Sequence, residues 1–229
     1  MAMNVIMLAL AAAGPGAFSY TYPAQVRAAP ALKARLDAES ARLRRDFVRD
    51  SSADARDAAA DKRPFHGWTL DKTWKVVTET PRFLSLSAEL WSYSGGAHGN
   101  TGYDALVWDK GRRLAMKPVA LFTSAGALKA AIQRPFCAAL DRQREEKRGE
   151  PVKRGAMFGE CFDPTASTVI LGSTNRRTFD RLGVLIGPYE AGPYAEGVYE
   201  VTLPITPAVL AAVRPEYRAA FSSTPSSRP

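Results

Sequence analysis

The sequence predicts an α+β fold of antiparallel sheets with packed helices, arranged as two small units in tandem. Three observations predict it. Between residues 68 and 116 apolar and polar residues alternate in runs broken by Pro81, a glycine-rich connection and Asp109-Lys110-Gly111-Arg112, the pattern of an antiparallel meander. From Ser124 the period changes, and Leu128, Ile132, Phe136 and Leu140 recur at helical spacing. Strand patterns then return, ending in Gly197 to Pro204, where Val198, Glu200 and Thr202 oppose Tyr199, Val201 and Leu203. The expected organisation is a leader over 1–17, an N-terminal unit over 18–117, a C-terminal unit over 118–221 and a tail of disordered composition over 222–229.

Taken in order, Val5 to Ala13 is a short apolar run followed by Gly14-Pro15-Gly16-Ala17. It reads as a secretory h-region with small-residue cleavage positions after Ala13 or Ala17, too short to span a bilayer, with a buried first strand as the other reading. A periplasmic or secreted location follows, with no transmembrane segment after its removal. Phe18 to Pro23 alternates aromatic and small residues and reads as the first mature strand. Pro30 opens a helix with Leu32, Leu36, Leu43 and Phe47 on one face. Its pattern weakens beyond Ser51-Ser52, and the tail to Ala60 is expected to be solvated. Thr73–Thr78, Phe83–Tyr93 and Tyr103–Trp108 are strands, and Gly111 is the expected positive-φ residue of the turn after them.

Within the stripe from Ser124, Pro135 leaves two readings: a kinked helix, or a second helix opening at that proline. Gly149 is the expected C-cap and 149–166 a loop. Thr168–Leu171 and Leu182–Ile186 are strands, and Thr206-Pro207 caps a short helix through Val213. The two cysteines, Cys137 and Cys161, read as a disulfide in an exported chain, with two free buried thiols as the other reading.

The net charge is +8 over 229 residues. The basic residues are mostly spread out, and the densest groups, Arg42-Leu43-Arg44-Arg45 and Arg142 to Arg154, read as solvated basic faces with acids interleaved. No nucleic-acid motif, phosphate loop, dinucleotide fingerprint, nucleophile elbow or metal-ligand spacing is present, so neither nucleic acid, cofactor nor metal is expected.

Two segments remain as candidate ligand-binding sites. One runs from Tyr93 to Tyr103 and holds Gly95, Gly96, His98 and Asn100. Its histidine either lines a pocket with Tyr93, Asn100 and Tyr103, or fixes the loop by bonding backbone carbonyls. The other runs from Pro188 to Gly197 and offers Tyr189 and Tyr194 as stacking faces and Glu190 and Glu196 as acceptors, suited to glycan or protein partners unless it is packed between the units. A glycosidase pair of Glu190 and Glu196 has no support from spacing, and no catalytic residue is assigned. Trp68, Trp74, Trp91 and Trp108 lie in strands and read as core, with a sugar platform as the other reading.

Phe18-Ser19-Tyr20-Thr21-Tyr22-Pro23, Tyr93-Ser94-Gly95-Gly96-Ala97-His98-Gly99-Asn100, Leu121-Phe122 and Pro188 to Gly197, in that order, resemble a bacterial envelope family of uncharacterised domains. These domains occur in the extracellular part of the anti-sigma factor RsiV and ahead of the catalytic domain of the peptidoglycan deacetylase PdaC. The resemblance covers roughly 18–221, with 18–117 similar to the PdaC part and 118–221 to the RsiV part. It implies a two-part α+β fold and an envelope binding role, for peptidoglycan fragments or for a protein such as lysozyme. Neither a deacetylase domain nor a sigma-binding segment is recognisable, so neither relative's activity carries over. An envelope hydrolase using His98 with Glu190 or Glu196 is the alternative.

Overall fold

The computed structural model describes residues 16–223. The expected leader therefore lies outside the described residues except for Gly16 and Ala17, and the expected tail except for Ser222 and Ser223. Two sheets and four α-helices build the fold. β1 (Gly16–Thr21) is followed by α1 (Ala24–Arg27) and α2 (Pro30–Ala60), then by β2 (Trp68–Glu79), β3 (Phe83–Tyr93), β4 (Asn100–Asp109) and β5 (Leu114–Met116). α3 (Ala125–Arg148), β6 (Thr168–Gly172), β7 (Arg181–Ile186), β8 (Tyr199–Pro204) and α4 (Pro207–Ala212) complete it. The first sheet has strand order β1-β2-β3-β4-β5, and the second β6-β7-β8. All pairs are antiparallel except β1 with β2.

Alternation on β3 and β4 decides the layers. Leu84, Leu86, Ala88, Leu106 and Trp108 face α1 and α2, meeting Val26, Leu32 and Leu36. The opposite face meets the small sheet, where Ala105 packs on Ile170 and Leu185. The far face of the small sheet carries Val169, Leu182, Val184 and Val201 against Leu128, Ile132, Phe136 and Leu140 of α3. The order is helix, sheet, sheet, helix. Phe83 and Val107 from the first sheet enter the core built mainly by residues after 118, so the packing crosses the expected unit boundary.

Several local expectations are corrected. α2 runs unbroken to Ala60, and its last turns are not simply solvated: Ser51 and Ala58 are buried. Ser51 Oγ donates to Phe47 O at 2.6 Å, which satisfies the hydroxyl inside the helix. In the β4–β5 turn the positive φ falls on Arg113 (52°), not on Gly111. Asp109 Oδ1 accepts from Arg112 N at 3.0 Å and sets that turn early, which moves the left-handed position along the chain. Pro135 neither ends nor restarts a helix, because α3 continues through it at the loss of one ladder hydrogen bond. Ser124 Oγ caps α3 by accepting from Ala127 N, and Gly149 closes it in the left-handed conformation (φ 70°). Cys137 and Cys161 form a disulfide between α3 and the loop that follows it.

A charged network ties α2 to the first sheet. Lys72, buried, donates to Glu39 and, at 3.1 Å, to Asp104. Tyr20 Oη donates to Glu39 Oε2 at 3.2 Å and accepts from Trp74 Nε1 at 2.8 Å. Burial, with Glu39 adding to it, pushes the Tyr20 phenol well above its ordinary range. A buried ammonium needs such partners, since leaving it unpaired would cost several kcal/mol, of order 3–5.

Candidate functional site

The two glycine-rich segments meet, although about ninety residues of chain separate them. The first leaves β3 at Tyr93 and re-enters the sheet at Asn100, which pairs with Ser92. Gly95 and Gly96 take φ values of 99° and 97°, which a residue with a side chain adopts only with strain. Tyr93 Oη donates to Gly96 O at 3.1 Å and closes the turn. Gly99 is buried under Trp91: a Cβ there would stand 2.7 Å from Trp91 Cε2. The result presents His98 outward with its Nδ1 2.9 Å from Gly99 O.

The second segment begins as a turn at Gly187-Pro188-Tyr189-Glu190. Pro188 precedes Tyr189, whose φ is 68°, and Glu190 N donates to Gly187 O at 3.3 Å. These are the marks of a type II turn, whose third position normally holds glycine. Here it holds a tyrosine, 52% exposed, so the chain carries strain where a large ring faces outward. Tyr189 Oη lies 3.3 Å from His98 Nε2. The His98 ring stacks on Tyr194 at 3.6 Å and 17°, and Tyr189 and Tyr194 are 5.7 Å apart. With Trp91 stacked near-parallel to Tyr93 at 6.5 Å, aromatic rings from both sheets gather at one end of the molecule.

The carboxylates of the second segment do different work from that expected of catalytic groups. Glu190 Oε1 accepts from Gly187 N at 2.9 Å and Oε2 from Ser167 Oγ at 2.6 Å, fixing the turn. Glu196 is held by Arg148, whose Nε and Nη2 reach its oxygens at 2.9 and 3.1 Å, and by Tyr199 Oη. Burial pushes the Glu196 carboxyl up, but the hydrogen bonds from Arg148 and Tyr199 outweigh it and hold the group below its ordinary value. The same contact, after burial, drives the Tyr199 phenol up to about 12. His98 makes its hydrogen bonds to Gly99 O and Tyr189 Oη and to neither glutamate.

The residues that hold this second segment belong to the basic stretch read from the sequence as a solvated face. Arg144 is fully buried, its Nε donating to Ala191 O at 2.9 Å and its Nη1 to Glu160 O at 3.1 Å. Lys147 Nζ donates to Glu196 O and Val198 O, both at 2.6 Å, and sits 3.8 Å over the Tyr199 ring. Arg148 Nη2 reaches Ala191 O as well, at 3.4 Å. The spacing 144, 147, 148 puts all three on one face of the last turns of α3, where the helix dipole also favours cations. That spacing was legible, but nothing in the sequence identified the carbonyls it would meet.

Of the other candidate residues, Asn100 uses Oδ1 to accept from Thr101 N at 3.0 Å. Tyr103 lies apart from His98, in a groove of about 190 Å³ between the sheets, with Lys75, Glu89, Val198 and Glu200 among its neighbours. Burial raises its phenol, and Glu89, Glu200 and Glu190 add to the shift, while Lys75 in the same groove lies 3.9 Å from Glu89. Trp74 and Trp108 are core, Trp68 is half-buried and Trp91 is 37% exposed. Among the described residues no group of histidines, cysteines and carboxylates converges as a metal site.

Residues 17–101 match a family model described as Deacetylase PdaC. The resemblance read from the sequence therefore has its counterpart over β1 to the start of β4, a stretch that includes His98 and stops short of Tyr189. Among solved structures, a DUF3298 family member from Bacteroides fragilis is 18% identical with a TM-score of 0.47, covering 75% of this chain and 66% of that one. A DUF3298 family protein from Pseudomonas aeruginosa is 15% identical with a TM-score of 0.42, covering 69% of this chain and 66% of that one. The chain thus spans just under two thirds of either. No curated protein matches.

Proposed function

We propose that the protein is an exported, non-catalytic binding module of the cell envelope, with 18–117 and 118–221 each supplying one segment of a shared surface for a cell-wall glycan or a protein such as lysozyme. The carrying observation is the contact of His98 with Tyr194 and Tyr189, which joins the two segments into one outward aromatic cluster. Rings presented with a polar tip suit both sugar faces and protein partners. The non-catalytic reading is supported by both candidate carboxylates bonding within the loop and by neither bonding His98.

Export is supported by the apolar N-terminal run and by the disulfide. Among the described residues no helix is long and apolar enough to cross a membrane. β1 starts at Gly16, paired with Trp68, so processing after Ala13 is the junction that leaves the strand whole.

The test is titration of the chain, beginning at Gly14, with lysozyme and with solubilised peptidoglycan fragments at low and high salt. Binding that survives salt and falls at least ~10-fold in Tyr194→Ala supports a specific surface. Binding of neither probe, or binding lost with salt and indifferent to Tyr194→Ala, contradicts it.

A further inference from the structure

At the opposite end of the first sheet, one strand edge has no strand partner among the described residues. β1 pairs with β2 only from Gly16 opposite Trp68 to Thr21 opposite Thr73, while β2 continues to Glu79. On its other side β2 stays paired with β3 as far as Glu79 opposite Leu84, with a bulge between Val76 and Thr78. From Trp74 to Glu79, therefore, β2 has a strand neighbour on one side only among the described residues. This end is remote from His98, since the β2–β3 register runs from Thr69 opposite Tyr93 to Glu79 opposite Leu84.

The free edge is walled. Val76, Val77 and Thr78 form one side of a slot of about 490 Å³, with Gln25 of α1 and Ser173 and Arg176 of the β6–β7 connection around it. Gln25 and Glu79 are shared with a second hollow of about 400 Å³, lined by Leu84 and Trp108 with Lys110 and Arg113 at its rim. Lys110 Nζ is engaged with Glu79 Oε1 at 2.7 Å and Thr80 O at 2.8 Å. Arg113 and Arg176 have no ion pair among the described residues, and both hold positive φ, 52° and 55°. With Lys110 and Glu79 cancelling, the two hollows on either side of Gln25 and Glu79 carry two guanidinium groups without an ion pair among the described residues.

We propose that this slot receives an extended acidic segment of a partner protein, which adds to the β2 edge as a further strand. The unpaired main-chain groups of Trp74 to Glu79 supply hydrogen bonds, Arg113 and Arg176 take carboxylates, and the Leu84–Trp108 floor takes an apolar side chain. A bulge and cations on an edge also blunt it against self-association, and that plainer role predicts no peptide binding.

The probe is a fluorescein-labelled peptide, Glu-Val-Thr-Val-Glu-Val, compared with its all-lysine counterpart and with a form N-methylated at alternate residues. Anisotropy is read with the full chain and with the variants Arg176→Glu and Arg113→Glu. The acidic peptide should bind and protect the amides of Trp74 to Glu79 from hydrogen exchange. Affinity should fall at least ~10-fold on N-methylation, on exchange of Glu for Lys, or in Arg176→Glu. Absence of binding, or equal binding of the N-methylated and parent peptides, overturns the proposal. The His98 surface is untouched by either result.

Discussion

The two segments that meet at His98 are held by opposite means. The Ser94–Gly99 turn rests on its own backbone: two left-handed glycines, one tyrosine hydroxyl on a carbonyl, and exposed residues around them. The Gly187–Val198 segment is gripped from beneath by Arg144, Lys147 and Arg148, with Ala191 and Gly192 buried against them. A surface built from one light turn and one clamped loop can adapt on the first side without losing the frame supplied by the second. Substitutions should therefore have unequal effects on stability while having similar effects on binding.

The largest difference is expected between Arg144→Ala and His98→Ala. Removing the buried guanidinium strands Glu160 O, leaves Ala191 O with only the longer bond from Arg148 and takes one partner from Asp141, so urea unfolding should show a loss of about 3 kcal/mol or more. His98→Ala should change stability by less than about 0.5 kcal/mol. Similar losses in both would erase the distinction drawn here.

Reducing the disulfide should come next. It joins α3 to the loop whose carbonyls at Phe158 and Glu160 also receive Arg148 and Arg144, so it stiffens the clamped side. The chain-entropy model assigns a loop of this length about 3 kcal/mol, read as a lowered denaturation midpoint in the presence of reductant. A smaller contrast separates two glycines. At Gly192 a Cβ would lie 2.8 Å from Glu196 Cδ, a group held by Arg148, and Gly192→Ala should cost roughly 1–3 kcal/mol. At Gly95 nothing crowds a Cβ and only the positive φ opposes it, so Gly95→Ala should cost about 1 kcal/mol.

The smallest effect is the pH dependence that the clamped side contributes. Glu196 is depressed from its ordinary 4.5, so its contribution is present above that value and is lost as pH falls through the depressed one. Tyr199 is raised from 10.0 to about 12, so its contribution is full below 10 and is lost as pH rises toward 12. Thermal melts of Tyr199→Phe should show a smaller alkaline loss than the parent chain, in which Tyr20 and Tyr103 are raised as well. An unchanged alkaline limb would place its origin elsewhere.

Much of the architecture was legible because it rests on period and punctuation. Leu84, Leu86 and Ala88 mark a buried strand face, and Ser124 and Gly149 bracket α3 as caps do. The parallel addition of β1 and the four-residue α1 were not legible, since neither pairing direction nor so short a helix leaves a pattern. At the site, the sequence singled out both segments but assigned their glutamates as ligand acceptors. It could not show that Glu190 and Glu196 are engaged by the scaffold, because that depends on Ser167, Arg148 and Tyr199 arriving from other elements. It also read Arg144 and Arg148 as solvated, since charge spacing alone does not distinguish a helix face in water from one turned onto a loop.

The central claim is that the two segments act as one surface, and a double-mutant cycle on binding tests it most directly. Affinity for whichever probe binds, lysozyme or a peptidoglycan fragment, is measured for the parent chain, His98→Ala, Tyr194→Ala and the double variant. Rings stacked at 3.6 Å should couple, so the double variant should lose less than the sum of the single losses, with an interaction energy of about 0.5–1.5 kcal/mol. Additive losses, or a loss from only one of the two positions, would mean that the segments touch without forming a common site.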